Sequence, residues 1–262
     1  MEINMVYNEN CLDTMARMPD NFIDLTVTSP PYDNLRTYNN DIDKTWNEDA
    51  WKLIIKELYR ITKEGGVVVW IVGDATINGS ETGTSFKQAL YFMECGFNLH
   101  DTMIYHKHNF SNPSNNRYHQ IFEYMFILSK GTPITFNPIK DRVNIEAGKI
   151  GCYGRNTIRQ KDGSFKEKQK KINSEYGMRF NIWKYITEMK PLHPAQFPKQ
   201  LVKDHILSWS NENDIVYDPF MGSGTTAKAC IELKRNWIGS EISEEYCSII
   251  EKRISSVQVE LI

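Results

Sequence analysis

Two short stretches carry residue types that ordinary turns do not need. In "DIVYDPFMGSGTT" an apolar strand candidate leads through Asp218, Phe220, Gly222 and Gly224 into a helix candidate opening at Thr225. The next strand candidate, "NWIGSEI", ends in Glu241, nineteen residues after Gly222. Glycines at such a turn permit close approach of a ligand to the backbone, the helix start offers free N–H groups, and an acid at the following strand end accepts from ribose hydroxyls. An adenosine-containing cofactor is implied. A bare strand-to-helix turn would account for the glycines but not for the spaced acid, and "FMGSG" falls short of the full GxGxxG pattern.

The second stretch, "VTSPPYDNL", ends the apolar run "FIDLTV" with Ser29, Pro30, Pro31 and Tyr32. Each proline offers a carbonyl without a competing N–H, and paired rings make the turn stiff. Taken alone, this is a Pro-Pro turn with a buried tyrosine.

The elements that would position these residues follow from apolar spacing. "FIDLTVT" predicts a strand. "NEDAWKLIIKELYRITKEGG" predicts a helix with Trp51, Ile54, Ile55, Leu58 and Ile61 on one face and a stop at Gly65-Gly66. "VVVWIVGD" reads as a strand buried on both faces. A helix over "SFKQALYFMECG" and strands over "FNLHDTMIYH" and "HQIFEYMFILSKG" follow, with an antiparallel pair expected near the end of the sheet. A helix entered through Pro198 comes before the glycine loop. This alternation predicts an α/β fold, a mainly parallel sheet with helices on both faces. Only 21 residues follow Glu241, so the remaining strands are expected from the N-terminal part, in an order permuted relative to an ordinary nucleotide-binding domain.

From about residue 133 the periodicity dissolves. Between residues 140 and 184 there are twelve Lys or Arg and five Asp or Glu, a local +7 in a chain whose formal charge is −2. Such asymmetry points to a lobe facing a polyanion, with a solvated surface segment as the alternative. The expected division is 1–132 and 186–262 around an inserted lobe, 133–185. No apolar run reaches the roughly 18 residues needed to span a membrane, and the first residues lack a signal-peptide pattern, so a cytoplasmic protein is expected. The five cysteines form no CxxC pair, which favours reduced thiols over disulfides or zinc. His100, His106, His108 and His119 lack Cys or acidic partners at ligand spacing, and no metal is expected. Arg117, Tyr118 and His119 mix charge and aromatics, as a nucleic-acid groove or an ordinary strand-entry loop would.

Taken together, "TSPPY", the basic middle segment, "HPAQFP" and "DPFMGSGTT" resemble the DNA amino-methyltransferases of restriction–modification systems in their beta arrangement. The resemblance covers nearly the whole chain outside 133–185. It implies a Rossmann-like methyltransferase fold, circularly permuted, and S-adenosylmethionine as cofactor. By this resemblance Phe220, Gly222 and Gly224 match the loop that wraps the cofactor, with Asp218 before it and Thr225 opening the helix. Glu241 matches the ribose acid, and Pro194 the segment closing over the methionine end. Asn10, with Cys11 beside it, occupies the place of an Asp that contacts the adenine amine.

In the same resemblance Ser29, Pro30, Pro31 and Tyr32 are catalytic. An exocyclic amine is a poor nucleophile because its lone pair is delocalised into the ring. Acceptors from Ser29 and the Pro30 carbonyl would draw it toward sp³ geometry, and Tyr32 would stack on a base flipped from the duplex. Serine at the first position favours the N4 amine of cytosine over the N6 amine of adenine. Lys166, Lys168, Lys170 and Lys171 are the expected DNA contacts. Double-stranded DNA is the implied partner, a cognate restriction endonuclease the implied system partner, and a bacterial, archaeal or phage source the implied origin. Readings from other classes are a non-catalytic nucleic-acid-binding protein on this scaffold, and methylation of RNA or of a protein glutamine. C5-cytosine chemistry is disfavoured, since no Pro-Cys pair is present.

Overall fold

The computed structural model describes residues 1–31, 46–110, 115–150, 157–167, 172–186 and 198–260. In chain order the first half forms β1 (Met5–Tyr7), α1 (Cys11–Ala16), β2 (Ile23–Thr28), α2 (Glu48–Ile61) and β3 (Thr62–Val72). Next come a small hairpin of β4 (Thr76–Ile77) and β5 (Ser80–Glu81), then α3 (Thr84–Glu94), β6 (Asn98–Lys107) and β7 (Phe122–Ser129). Four short strands follow: β8 (Arg142–Val143), β9 (Thr157–Arg159), β10 (Phe165–Glu167) and β11 (Tyr176–Gly177). The chain continues with β12 (Ile182–Tyr185), α4 (Lys199–Trp209), β13 (Ile215–Asp218), α5 (Thr225–Glu232), β14 (Asn236–Ser240) and α6 (Glu244–Glu260).

Eight strands build one sheet in the order β1-β14-β13-β2-β3-β7-β6-β12. All pairings are parallel except those of β7, which runs antiparallel to both β3 and β6. The glycine-loop strand β13 thus lies inside the sheet, between β14 and β2, although it comes late in the chain. β3 shows why a parallel centre reads as an unbroken apolar run: residues 65 to 72 are all buried. Val68, Trp70 and Val72 pack in one cluster with Met15 of α1, Trp51 and Ile55 of α2 and Phe92 of α3. Leu201, Val202 and Ile206 of α4 and Ala227 and Ala229 of α5 are also fully buried.

α2 begins where its sequence says. The Asn47 side chain accepts from Ala50 N–H at 3.0 Å, and Glu48 and Asp49 complement the helix dipole. Its end corrects the expected Gly65-Gly66 stop. The helix finishes at Ile61, and both glycines lie inside β3. Gly65 adopts φ +77 and donates to the Lys130 carbonyl, while a Cβ on Gly66 would stand 2.9 Å from the Lys63 carbonyl oxygen. The glycines mark a close backbone approach where the β2–β3 register shifts, not a helix terminus.

The contacts divide the chain into two units, Met1–Asn137 with Asn181–Ile262, and Pro138–Phe180. The smaller unit is narrower than the expected 133–185, because β12 joins the main sheet. It consists of the ribbons β8–β11 and β9–β10, tied by the Arg179–Asp141 ion pair and by the Arg142 guanidinium 4.6 Å from the Phe180 ring centre. Strands of two or three residues are too short to show a period in sequence, which is why the segment read as irregular. Among the described residues no helix is long and apolar enough to cross a membrane.

Candidate functional site

From β13 the chain crosses to β14 on one side, and from β2 to β3 on the other. The order reverses between β13 and β2, and in open α/β sheets the crevice at the carboxyl ends of the strands beside such a reversal is where ligands bind. Both stretches singled out by sequence leave the sheet there. Ser29, Pro30 and Pro31 follow β2, Pro30 buried and the other two half-buried. Residues 219 to 224 follow β13. Tyr32 and Pro194 lie outside the described residues.

One carboxylate joins the two turns. Asp218, 1% exposed, accepts from Thr28 Oγ1 at 2.7 Å, from Thr226 Oγ1 at 2.6 Å and from the Phe220 N–H at 3.1 Å. It therefore binds the residue before Ser29 to the glycine loop and to the first turn of α5. Burial pushes its carboxyl up from 3.8 to about 6, against the lowering effect of these three donors. Among the candidate cofactor residues, Asp218 lies beneath the crevice as its brace.

The loop itself depends on its glycines. Gly222 and Gly224 adopt φ of +54 and +81, and a Cβ on Gly224 would come within 2.9 Å of Ile250 Cγ1 on α6. Gly224 opens α5 without a side-chain cap, leaving the helix start to whatever occupies the crevice. Thr225, the first residue of α5, is buried, and its hydroxyl accepts from Arg253 of α6 at 3.3 Å.

Glu241 stands half-buried at the end of β14. One oxygen accepts from the Gly222 N–H at 2.8 Å and the other from the Ser243 N–H at 2.9 Å. Burial raises its carboxyl above the usual range, and the backbone donors oppose that shift. A carboxylate has about four lone-pair sites, so two can still accept hydroxyls. Glycines at positive φ, an uncapped helix start and a carboxylate with acceptor capacity fit an adenosine-containing cofactor.

Asn10 and Cys11 do other work in the structure. The Asn10 side-chain oxygen accepts from the Leu12 N–H at 2.9 Å and caps α1, leaving it one further lone pair. Cys11 is 6% exposed and packs in the main core; burial pushes its thiol up to about 12, which makes it inert. Phe220, half-buried, meets Trp46 edge-on with centroids 5.5 Å apart and Trp70 at 6.4 Å, so one wall of the loop is aromatic. In the smaller unit Lys166 is an exposed residue of β10, whereas Lys168, Lys170 and Lys171 lie outside the described residues. Among the described residues no group of His, Cys, Asp and Glu could hold a metal ion. His119 instead packs tilted against Phe110 with centroids 4.0 Å apart, Tyr118 is fully exposed, and Arg117 braces the β4–β5 hairpin through the Gly79 carbonyl.

With this geometry in place, comparison with known proteins is decisive. A family model described as DNA methylase, covering N6 and N4 amino-methyltransferases, matches residues 23–252. The chain belongs to this family. It is 54% identical over 244 residues to the orphan methyltransferase M.BamHII of Bacillus amyloliquefaciens, covering 89% of each chain. Its fold is shared with PvuII DNA methyltransferase, a cytosine-N4-specific enzyme (TM-score 0.69, 18% identity, 97% of this chain and 89% of that one). It is likewise shared with M1.HpyAVI solved with its cofactor (TM-score 0.61, 22% identity, 95% and 98%). The protein is thus a DNA methyltransferase acting on an exocyclic amine, with the methyltransferase fold that the sequence implied.

Several residues that shape the methyltransferase crevice gave little sign in the sequence. Thr28 and Thr226 read as ordinary β-branched and helix-start residues until Asp218 gathers their hydroxyls. Asp74, just beyond β3, is 5% exposed and accepts from the Ser85 N–H at 2.8 Å and from Ser85 Oγ at 2.5 Å, fixing the start of α3. An acid directly after a fully apolar strand, in "VVVWIVGD", was the available signal.

Proposed function

We propose that this methyltransferase transfers a methyl group from S-adenosylmethionine to the N4 amine of a cytosine flipped out of duplex DNA. The observation that carries the reading is the Asp218 carboxylate, which ties the cofactor-type loop to the residue preceding Ser29-Pro30-Pro31. When bound, S-adenosylmethionine supplies a sulfonium-activated methyl group, so no enzyme nucleophile is required. The chain's own part is orientation and electrostatics. Gly222, Gly224 and the start of α5 receive the cofactor beside Phe220, and Glu241 accepts from its ribose. Ser29 Oγ and the Pro30 carbonyl accept from the target amine, favouring charge on its nitrogen as the bond forms. Tyr32 gives the extruded base a stacking face. Serine in place of the acid or amide more typical of adenine enzymes favours cytosine. The smaller unit, with Lys166 and the neighbouring lysines, supplies the backbone contacts to DNA. The relative's name, an orphan methyltransferase, favours a chain that methylates without a paired endonuclease.

The test is direct. The protein is incubated with duplex DNA and methyl-labelled cofactor, and the digested nucleosides are identified by mass spectrometry. N4-methylcytosine is expected. N6-methyladenine would transfer the same geometry to the sister reaction, and label in RNA or in protein alone would defeat the reading.

A further inference from the structure

The glycine loop after β13 has little of its own to hold it. Gly222 and Gly224 have more backbone freedom than any other residue type, and the turn they make precedes the hydrogen-bond ladder of α5. It is tied from outside at three successive points. Asp218 takes the Phe220 N–H and Glu241 takes the Gly222 N–H. The third tie comes from α6, to which the methyl-transfer reading gives no part. Arg253 Nη1 donates to the Ser223 carbonyl at 3.0 Å and lies 3.3 Å from both Ser223 Oγ and Thr225 Oγ1.

Ser223 and Thr225 are buried and Arg253 is half-buried, so these charge-assisted bonds compete with little water. The peptide between Ser223 and Gly224 is thereby fixed on both edges: its N–H donates to the Met221 carbonyl at 3.0 Å, and its carbonyl accepts from Arg253. That holds Gly224 at its φ of +81, where α5 begins. α6 acts through one face. Cys247, Ile250 and Arg253 are spaced by three residues and so lie along one side of the helix. Cys247 Sγ reaches the Glu241 carbonyl at 3.6 Å, Ile250 stands against Gly224, and Arg253 grips the loop. One helix thus touches both the expected ribose acid and the turn that faces it.

We propose that Arg253 is a positioning residue for the cofactor, its guanidinium holding the glycine loop in the form that receives S-adenosylmethionine. It acts through the loop and not on the reacting atoms, so its loss falls on cofactor affinity and spares methyl transfer once the cofactor is bound. The inference holds whichever amine receives the methyl group.

The test is isothermal titration of S-adenosylmethionine into the full chain without DNA, joined to initial rates on duplex DNA at varied cofactor concentration. Arg253→Met keeps the length of the side chain and removes the guanidinium. It should weaken cofactor binding and raise the cofactor KM about tenfold, leaving kcat at saturating cofactor within about threefold of the wild type. Arg253→Lys, with one ammonium for three acceptors, should fall between the two. In Arg253→Ala, ethylguanidinium in solution should restore binding, and ethylammonium at the same concentration should restore less. Thermal unfolding without cofactor gives the folded fraction of each variant. Wild-type affinity in Arg253→Met, a loss in kcat as large as the loss in affinity, no rescue of Arg253→Ala, or a binding loss that the unfolded fraction accounts for would each overturn the proposal. Because the titration contains no DNA, failure of the cytosine reading would leave its result unchanged.

Discussion

At the scale of single residues, Asp218 sits in an environment that an ionised carboxylate disfavours. It is a fully buried carboxylate with three donors and no cationic partner among them. With the folded-state value near 6 and an ordinary value of 3.8, the folded chain holds a proton between about pH 4 and 6 that the unfolded chain releases. Stability from this group therefore rises as pH falls through 6 and is lost as pH rises, by about 3 kcal/mol across the window. Asp218→Asn removes the titration. The melting temperature of the wild type relative to this variant should increase by several degrees between pH 7.5 and 5; parallel curves would show that Asp218 is not held in this state. The loop and Glu241 were readable in sequence because positive-φ positions demand glycine and because the acid falls at a fixed spacing. The Thr28–Asp218 bond was not, since a hydroxyl 190 residues from its carboxylate leaves no local pattern.

At the scale of elements, periodicity carried the long helices and buried strands, and close approach decided the details. α2 and β3 were both legible, but the boundary between them was not, because Gly65 and Gly66 could equally stop a helix or admit a neighbouring backbone. The glycine turn before α5 gives a sharper case. Gly224→Ala would strain a backbone at φ +81 and press a methyl to 2.9 Å from Ile250 on α6. Loop and α6 would have to separate, at a cost of about 1–3 kcal/mol. Cofactor affinity should fall more than stability suggests, since the displaced turn also carries the Gly222 donor to Glu241. Isothermal titration alongside thermal unfolding checks both, and unchanged affinity with lowered stability would separate the turn from the cofactor site.

At the scale of the whole molecule, the charge excess of the middle segment was visible in composition, whereas its ribbons were not. Charge removal at Lys166, Lys168, Lys170 and Lys171 should weaken DNA binding and flatten its salt dependence, each lost phosphate contact lowering the log–log slope by about 0.9. Measured affinities between low and physiological salt test this, and an unchanged slope would mean that these lysines do not meet the backbone. The sheet order carries a different consequence, one of timing. β1 and β2 are made first but lie on opposite sides of β13 and β14, which are made last. On the ribosome, β1 emerges without the strand it will pair with, and one edge of β2 stays open while some 190 residues are added. Such an edge invites wrong pairing. A nascent chain thus has neither a crevice nor a closed sheet until β13 and β14 have been made and slide between β1 and β2.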